Sequence, residues 1–241
     1  YNTGSVNGVY YSVGGVCGYN SNNCTIENSY NTGSVSGSSW VGGVCGSNYG
    51  TIQNSYNKGS VNGTKNWPNY IGGVCGRNNN GGTIENSYNT GSVNGVYYSV
   101  GGVCGCNSSD GTIKNSYNTS SVSGENNVGG VCGINYGTIE NSYNTDLISG
   151  SANVGGVCGS NSGTIENSYN TGSVSGSNGN VGGVCGVNSS SGIITNSFYN
   201  NSVYSGKDVG YNSGTLTKVS GKTSEQFASG EVAYLLGGIW G

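Results

Sequence analysis

The 241-residue chain has no histidine, no methionine and one proline, and its seven lysines and arginines face ten aspartates and glutamates. Each shortage narrows the function. Without histidine, and with no Cys-Xaa-Xaa-Cys pair, no metal site or cofactor is expected. The cations are scattered singly and the net charge is -3, so no basic stripe exists to track phosphates, and nucleic acid is not an expected partner. No apolar run approaches the eighteen or so residues of a membrane span, and no charged-then-apolar leader is present. Tyr1-Asn2-Thr3-Gly4-Ser5-Val6 matches Tyr30 to Val35, so the chain reads as a fragment whose targeting signal lay upstream.

What is abundant is glycine, 49 residues, with serine, asparagine and threonine. Such a composition alone suits disorder, but regularly spaced Val, Ile and Tyr argue for a fold. A Val/Ile-Gly-Gly-Val-Cys-Gly block places cysteine at 17, 45, 75, 104, 132, 158 and 185, with intervals of 28, 30, 29, 28, 26 and 27. A period of this length marks a solenoid or propeller whose units bury their apolar faces against one another. Within each unit Ile26, Asn28 and Tyr30 alternate with Thr25, Glu27 and Ser29, the period of a strand. The expected fold is therefore all-β, a parallel β-helix of about seven to eight coils with a period of 26–30 residues. Residues 1–201 form the solenoid, and 202–241 a degenerate last coil with a C-terminal helical cap.

Alternation predicts inward Ile and Tyr ladders and an inward Asn column at Asn28, Asn54, Asn86, Asn115, Asn141, Asn167 and Asn196, with Thr, Glu and Ser outside. In the Val-Gly-Gly-Val-Cys-Gly block it sends either cysteine or the second valine outward unless a bulge turns both in. Cysteine is expected inside, as unpaired Cys is among the most buried residue types. An outward valine column would then be a contact strip, and a bulge at the double glycine is the open alternative. The ladder Cys17, Cys45, Cys75, Cys104, Cys132, Cys158 and Cys185 is expected to stay reduced, since stacked parallel Cβ vectors suit a disulfide poorly. Cys24 and Cys106 lie three coils apart and are not expected to pair. Residues 223–236 read as one amphipathic helix, N-capped by Thr223 or Ser224, with Phe227 and Leu235 covering the last coil.

The words Gly-Gly-Val-Cys-Gly-Xaa-Asn and Gly-Thr-Ile-Glu-Asn-Ser-Tyr-Asn-Thr-Gly-Ser-Val-Ser-Gly resemble the GLUG repeat of bacterial cell-surface proteins, over about residues 1–236. The resemblance implies a stalk or adhesive array on a large exported protein, extracellular or at the cell surface. GLUG repeats also accompany immunoglobulin-cleaving metallopeptidases, whose activity belongs to a separate domain. This chain departs from the family in carrying Cys in every block.

No catalytic constellation is evident. The outward column Glu27, Gln53, Glu85, Lys114, Glu140 and Glu166 reads as a solvated ladder, not as the paired carboxylates of a glycosidase. The candidate binding residues are the aromatics of one variable corner: Tyr10, Tyr11, Trp40, Trp67, Tyr70, Tyr97 and Tyr98. They suit a host glycan or protein. The expected function is a non-catalytic structural or adhesive array. The alternative is a filament of self-stacking copies, and the Thr25 and Thr3 columns leave ice binding as a third reading.

Overall fold

The computed structural model describes residues 1–64, 69–97 and 99–237, and is a solenoid of stacked parallel strands. In the second coil the chain runs Val35–Gly42, Cys45–Asn48, Thr51–Gln53 and Tyr56–Asn57, and neighbouring coils repeat this path. Corresponding strands stack into parallel sheets of 12, 8 and 14 strands, one for each side of the coil. The register is the one the repeat dictates: Cys17 pairs with Cys45, Cys45 with Cys75, and so on to Cys185, which pairs with Val209. Coils are numbered here one to seven by these cysteines. Beyond residue 201 the repeat words fade but the stacking continues, Thr215–Lys222 pairing with Ile193–Asn200.

Two apolar columns fill the interior. One joins the Ile52, Val44 and Cys45 positions of each coil, and the other joins the Val35 and Val41 positions. Val44 and Cys45 are both fully buried, so no outward valine strip exists. The double glycine makes this possible by bending the chain between sheets. A Cβ at Gly73 would run into the Gly102 carbonyl and the Asn89 side chain, so only glycine fits so close to the next coil. All nine cysteines are free. The ladder thiols bond to the carbonyl two residues on, as Cys45 Sγ does to Ser47 O at 3.2 Å, and burial pushes Cys75, Cys132 and Cys185 up.

The expected inward column at Asn28 is overturned. Asn28, Asn54, Asn86 and Asn115 are exposed, with Asn141, Asn167 and Asn196 half-buried. All seven have φ between 45° and 50°. Asparagine tolerates this left-handed conformation best among residues with side chains, and one such residue breaks the two-residue alternation. The following serine therefore turns inward. Ser55 Oγ donates to Gln53 O at 2.8 Å and accepts from Ser29 N at 3.1 Å, closing the bend. Tyrosine moves to the half-exposed side, where Tyr1, Tyr30, Tyr56, Tyr88, Tyr117, Tyr143 and Tyr169 stack at 4.9–5.2 Å, within 9° of parallel.

Two different asparagine columns are buried. Asn31, Asn57, Asn89, Asn118 and Asn144 each donate to the next amide oxygen at 2.7–2.8 Å, ending on Asn170. Asn20, Asn48, Asn78, Asn107, Asn135, Asn161 and Asn188 do likewise at 2.8–2.9 Å, ending on Asn212. Each Nδ2 also reaches a corner carbonyl, as Asn57 reaches Gly59 O at 2.7 Å. Buried amides are stable in a core only when satisfied in this way.

The C-terminal segment forms two helices, α1 (Ser224–Ala228) and α2 (Glu231–Leu235), where the sequence suggested one. Gly230, at φ 83°, breaks them. Thr223 caps α1 in a capping box with Gln226. The pair lies on the side of the solenoid, not over the last coil. Val232 and Leu236 bury against Phe198, Phe227 meets the Tyr169 ring at 5.8 Å, and Leu235 is exposed. Among the described residues no helix is long and apolar enough to cross a membrane.

Candidate binding site

The residue just before the Val-Gly-Gly block forms a column of its own: Ser12, Trp40, Tyr70, Ser99, Asn127, Asn153 and Asn180. It sits at a bend, and φ is positive at Ser12, Trp40, Asn127 and Asn153. In coils five and six asparagine suits that conformation, and with Asn180 of coil seven it closes a small ladder, Asn153 Nδ2 donating to Asn127 Oδ1 at 3.0 Å and Asn180 Nδ2 to Asn153 Oδ1 at 3.1 Å. In coils two and three the column is aromatic. Trp40 holds φ 50°, a left-handed conformation that a bulky side chain disfavours.

These aromatics enclose a cation. Arg77 stands on the outer face of Cys75–Asn78, with its guanidinium 5.3 Å from the Trp40 ring centroid and 6.0 Å from that of Tyr70. Tyr11 leans on the far side of Trp40 at 5.3 Å. Cation–π contacts of this kind contribute about 0.5–2 kcal/mol. Yet Arg77 has no acidic partner: the ion pairs among the described residues are Lys114–Glu85 and Lys222–Glu231. Burial pushes the Tyr70 hydroxyl up, offset in part by the Arg77 charge, and it pushes the Cys106 thiol up to about 12.

Polar satisfaction fails at this corner. Six buried side-chain atoms among the described residues lack a hydrogen-bond partner, and five belong to Trp40, Asn69, Arg77 and Ser99. Each such atom costs about 1–3 kcal/mol relative to a bonded one. Beside Arg77 opens a cleft of about 240 Å³, lined by Tyr70, Arg77, Asn80, Cys106, Ser108, Ser109 and Tyr136.

Of the aromatics singled out in the sequence, the structure brings together Tyr11, Trp40 and Tyr70. Tyr10 and Tyr97 stand apart, 78% and 49% exposed. Trp67 and Tyr98 lie outside the described residues. Sequence reasoning missed Arg77, although its signal was available: it is the chain's single arginine, two residues after a ladder cysteine, on the outward side. Tyr136, 48% exposed at the cleft's edge, carried no such signal. The acidic column lies on an open strand face, with Lys114 bonded to Glu85 at 3.0 Å. Among the described residues no three Cys, Asp or Glu side chains gather to hold a metal.

The GLUG motif matches residues 9–36, 68–94, 96–123 and 124–148. The chain carries a GLUG-repeat array. No curated protein matches this array in sequence. Among solved structures it is similar to a Bacteroides ovatus protein described as a "putative immunoglobulin A1 protease", with 23% identity and a TM-score of 0.60. The alignment covers 88% of this chain and 70% of that chain, and at this identity the likeness concerns the fold.

Proposed function

We propose that this GLUG array is a non-catalytic structural and adhesive region of an exported bacterial surface protein, acting outside the cell as a stalk that displays a binding corner. The observation that carries the reading is the cluster of Tyr11, Trp40, Tyr70 and Arg77. Elsewhere among the described residues a single buried atom, Asn141 Oδ1, lacks a partner, whereas here five collect, and the Tyr70 ring and an unneutralised cation face a cleft. Aromatic and arginine side chains dominate the energetics of recognition surfaces. A stacking scaffold suits a stalk because each coil depends only on its neighbours and the array can lengthen without redesign. The titratable groups on the outer strands stand in a straight solvated column, an arrangement that favours a structural role over acid–base chemistry.

The test is binding of the chain to a broad glycan array and to host matrix proteins, alongside Trp40→Ala. Binding that disappears in the variant is the expected result. No binding by either form would contradict the adhesive role, and concentration-dependent fibres in electron micrographs would favour a self-stacking filament instead.

A further inference from the structure

We propose that the cleft beside Arg77 is a site for a carboxylated sugar, with Arg77 receiving the carboxylate and the flanking aromatic rings receiving the ring face. The inference rests on the binding role proposed above and adds its chemistry. Three independent features converge on it.

The first is the charge. Arg77 is the chain's single arginine, its Nε is buried without a partner, and no described carboxylate lies within ion-pair reach. An arginine packed near two aromatic rings is restrained, and its planar fork can meet a carboxylate with two parallel hydrogen bonds. The second is the lining. Asn80, Ser108, Ser109 and Tyr136 offer amide and hydroxyl groups that can both donate and accept, as a hydroxyl-rich ligand requires. The cleft, about 240 Å³, suits a small ligand such as one or two sugar rings and not a folded partner.

The third is the strain. Asn127 and Asn153 show what the fold itself prefers at the Trp40 position, namely a residue at ease in the left-handed region that bonds to its neighbour. Trp40 does neither, and its indole Nε1 is buried and unpartnered. Five of the six orphaned buried atoms among the described residues collect at this corner beside the left-handed Trp40, and unmet hydrogen bonds and strain gathered in one place point to function. Trp40 is placed to hold Arg77, so it acts here as a positioning residue.

The experiment titrates the whole chain with a glucuronate-terminated disaccharide, with its glucose-terminated counterpart and with an acidic peptide, following Trp fluorescence and amide chemical shifts. Arg77→Gln, Arg77→Lys and Lys58→Gln are measured in parallel, Lys58 being a cation on the tyrosine face, 5.1 Å above the Tyr56 ring. Circular dichroism establishes that each variant is folded. The expected result is saturable binding of the uronate, at least tenfold weaker binding of the neutral sugar, loss of at least tenfold in Arg77→Gln, partial retention in Arg77→Lys, and no change in Lys58→Gln. Equal affinity for the two sugars would overturn the carboxylate assignment while leaving a sugar-binding corner. Shifts from the peptide alone would overturn the sugar and leave an adhesive surface for protein. Folded Arg77→Gln that binds the uronate as well as the parent would overturn the site.

Discussion

Coils five to seven and coils two to four solve the same bend differently. In the former, Asn127, Asn153 and Asn180 occupy the column before the double glycine and bond to one another. In the latter, Trp40, Tyr70 and Ser99 occupy it, and orphaned buried atoms collect around them. The Val and Cys registers are shared, and Trp40 holds the same left-handed conformation as Asn127 and Asn153, so between these positions the difference lies in the side chain. The comparison teaches that the repeat satisfies itself where its words are kept, and that the proposed binding role falls where one word is replaced at a structural disadvantage.

If the C-terminal coils owe their stability to satisfied amides, breaking one ladder there should have the largest effect. Asn144→Ala, in coil five, removes the acceptor of one Asn118 Nδ2 hydrogen bond and the amide donor to Asn170 Oδ1, both bonds within a buried column. A loss of about 1–3 kcal/mol per stranded group is expected in urea denaturation. A loss below about 0.5 kcal/mol, typical of a surface substitution, would show that the ladder is incidental.

The reciprocal swap is the next test. Asn127→Trp places a bulky side chain at φ 48° and removes the acceptor of Asn153. It should destabilise the array by about 1–2 kcal/mol from the left-handed conformation alone. Unchanged thermal stability would mean that the bend accepts any residue and that Trp40 is not strained.

A smaller, pH-dependent effect separates the tyrosine face from both corners. Burial, joined at Tyr88 and Tyr143 by the neighbouring phenols, raises the Tyr88, Tyr117 and Tyr143 hydroxyls above their ordinary value of 10.0. The folded state thus favours the neutral phenol. That contribution is fully present below about pH 10 and is lost as the pH rises through the folded values. Phenolate absorbance should emerge together with loss of the strand circular dichroism signal. Titration of these phenols at 10.0 with no change in stability would remove the stack from the account.

Much of the fold was legible in the sequence because the repeat fixes register, and register fixes which residues stack. The seven cysteine positions, the isoleucine ladder and the parallel sheets follow from spacing alone. The sidedness of the Thr-Ile-Glu-Asn-Ser-Tyr block was not legible by alternation, because one left-handed asparagine shifts every later residue to the other face. The clue lay in the residue type: asparagine followed by serine is a bend signal as well as part of a strand. The double glycine hid a second bend that brings Val44 and Cys45 both inside. In the aromatic corner the rings were visible as departures from the repeat, but the partnership of Trp40 and Tyr70 with Arg77 joins positions 37 and 7 residues apart, and only coil stacking brings them together.

The central claim is that Trp40 is retained for recognition and not for folding, and Trp40→Asn tests it most directly. The substitution restores the residue that coils five and six use, so it should cost less than about 1 kcal/mol of unfolding free energy, against the 3–5 kcal/mol typical when a buried aromatic is cut to alanine. The same variant should bind the glucuronate-terminated disaccharide at least tenfold more weakly. Retained stability with lost binding is the predicted outcome. A variant that loses several kcal/mol, or one that binds the sugar as the parent does, would contradict the account.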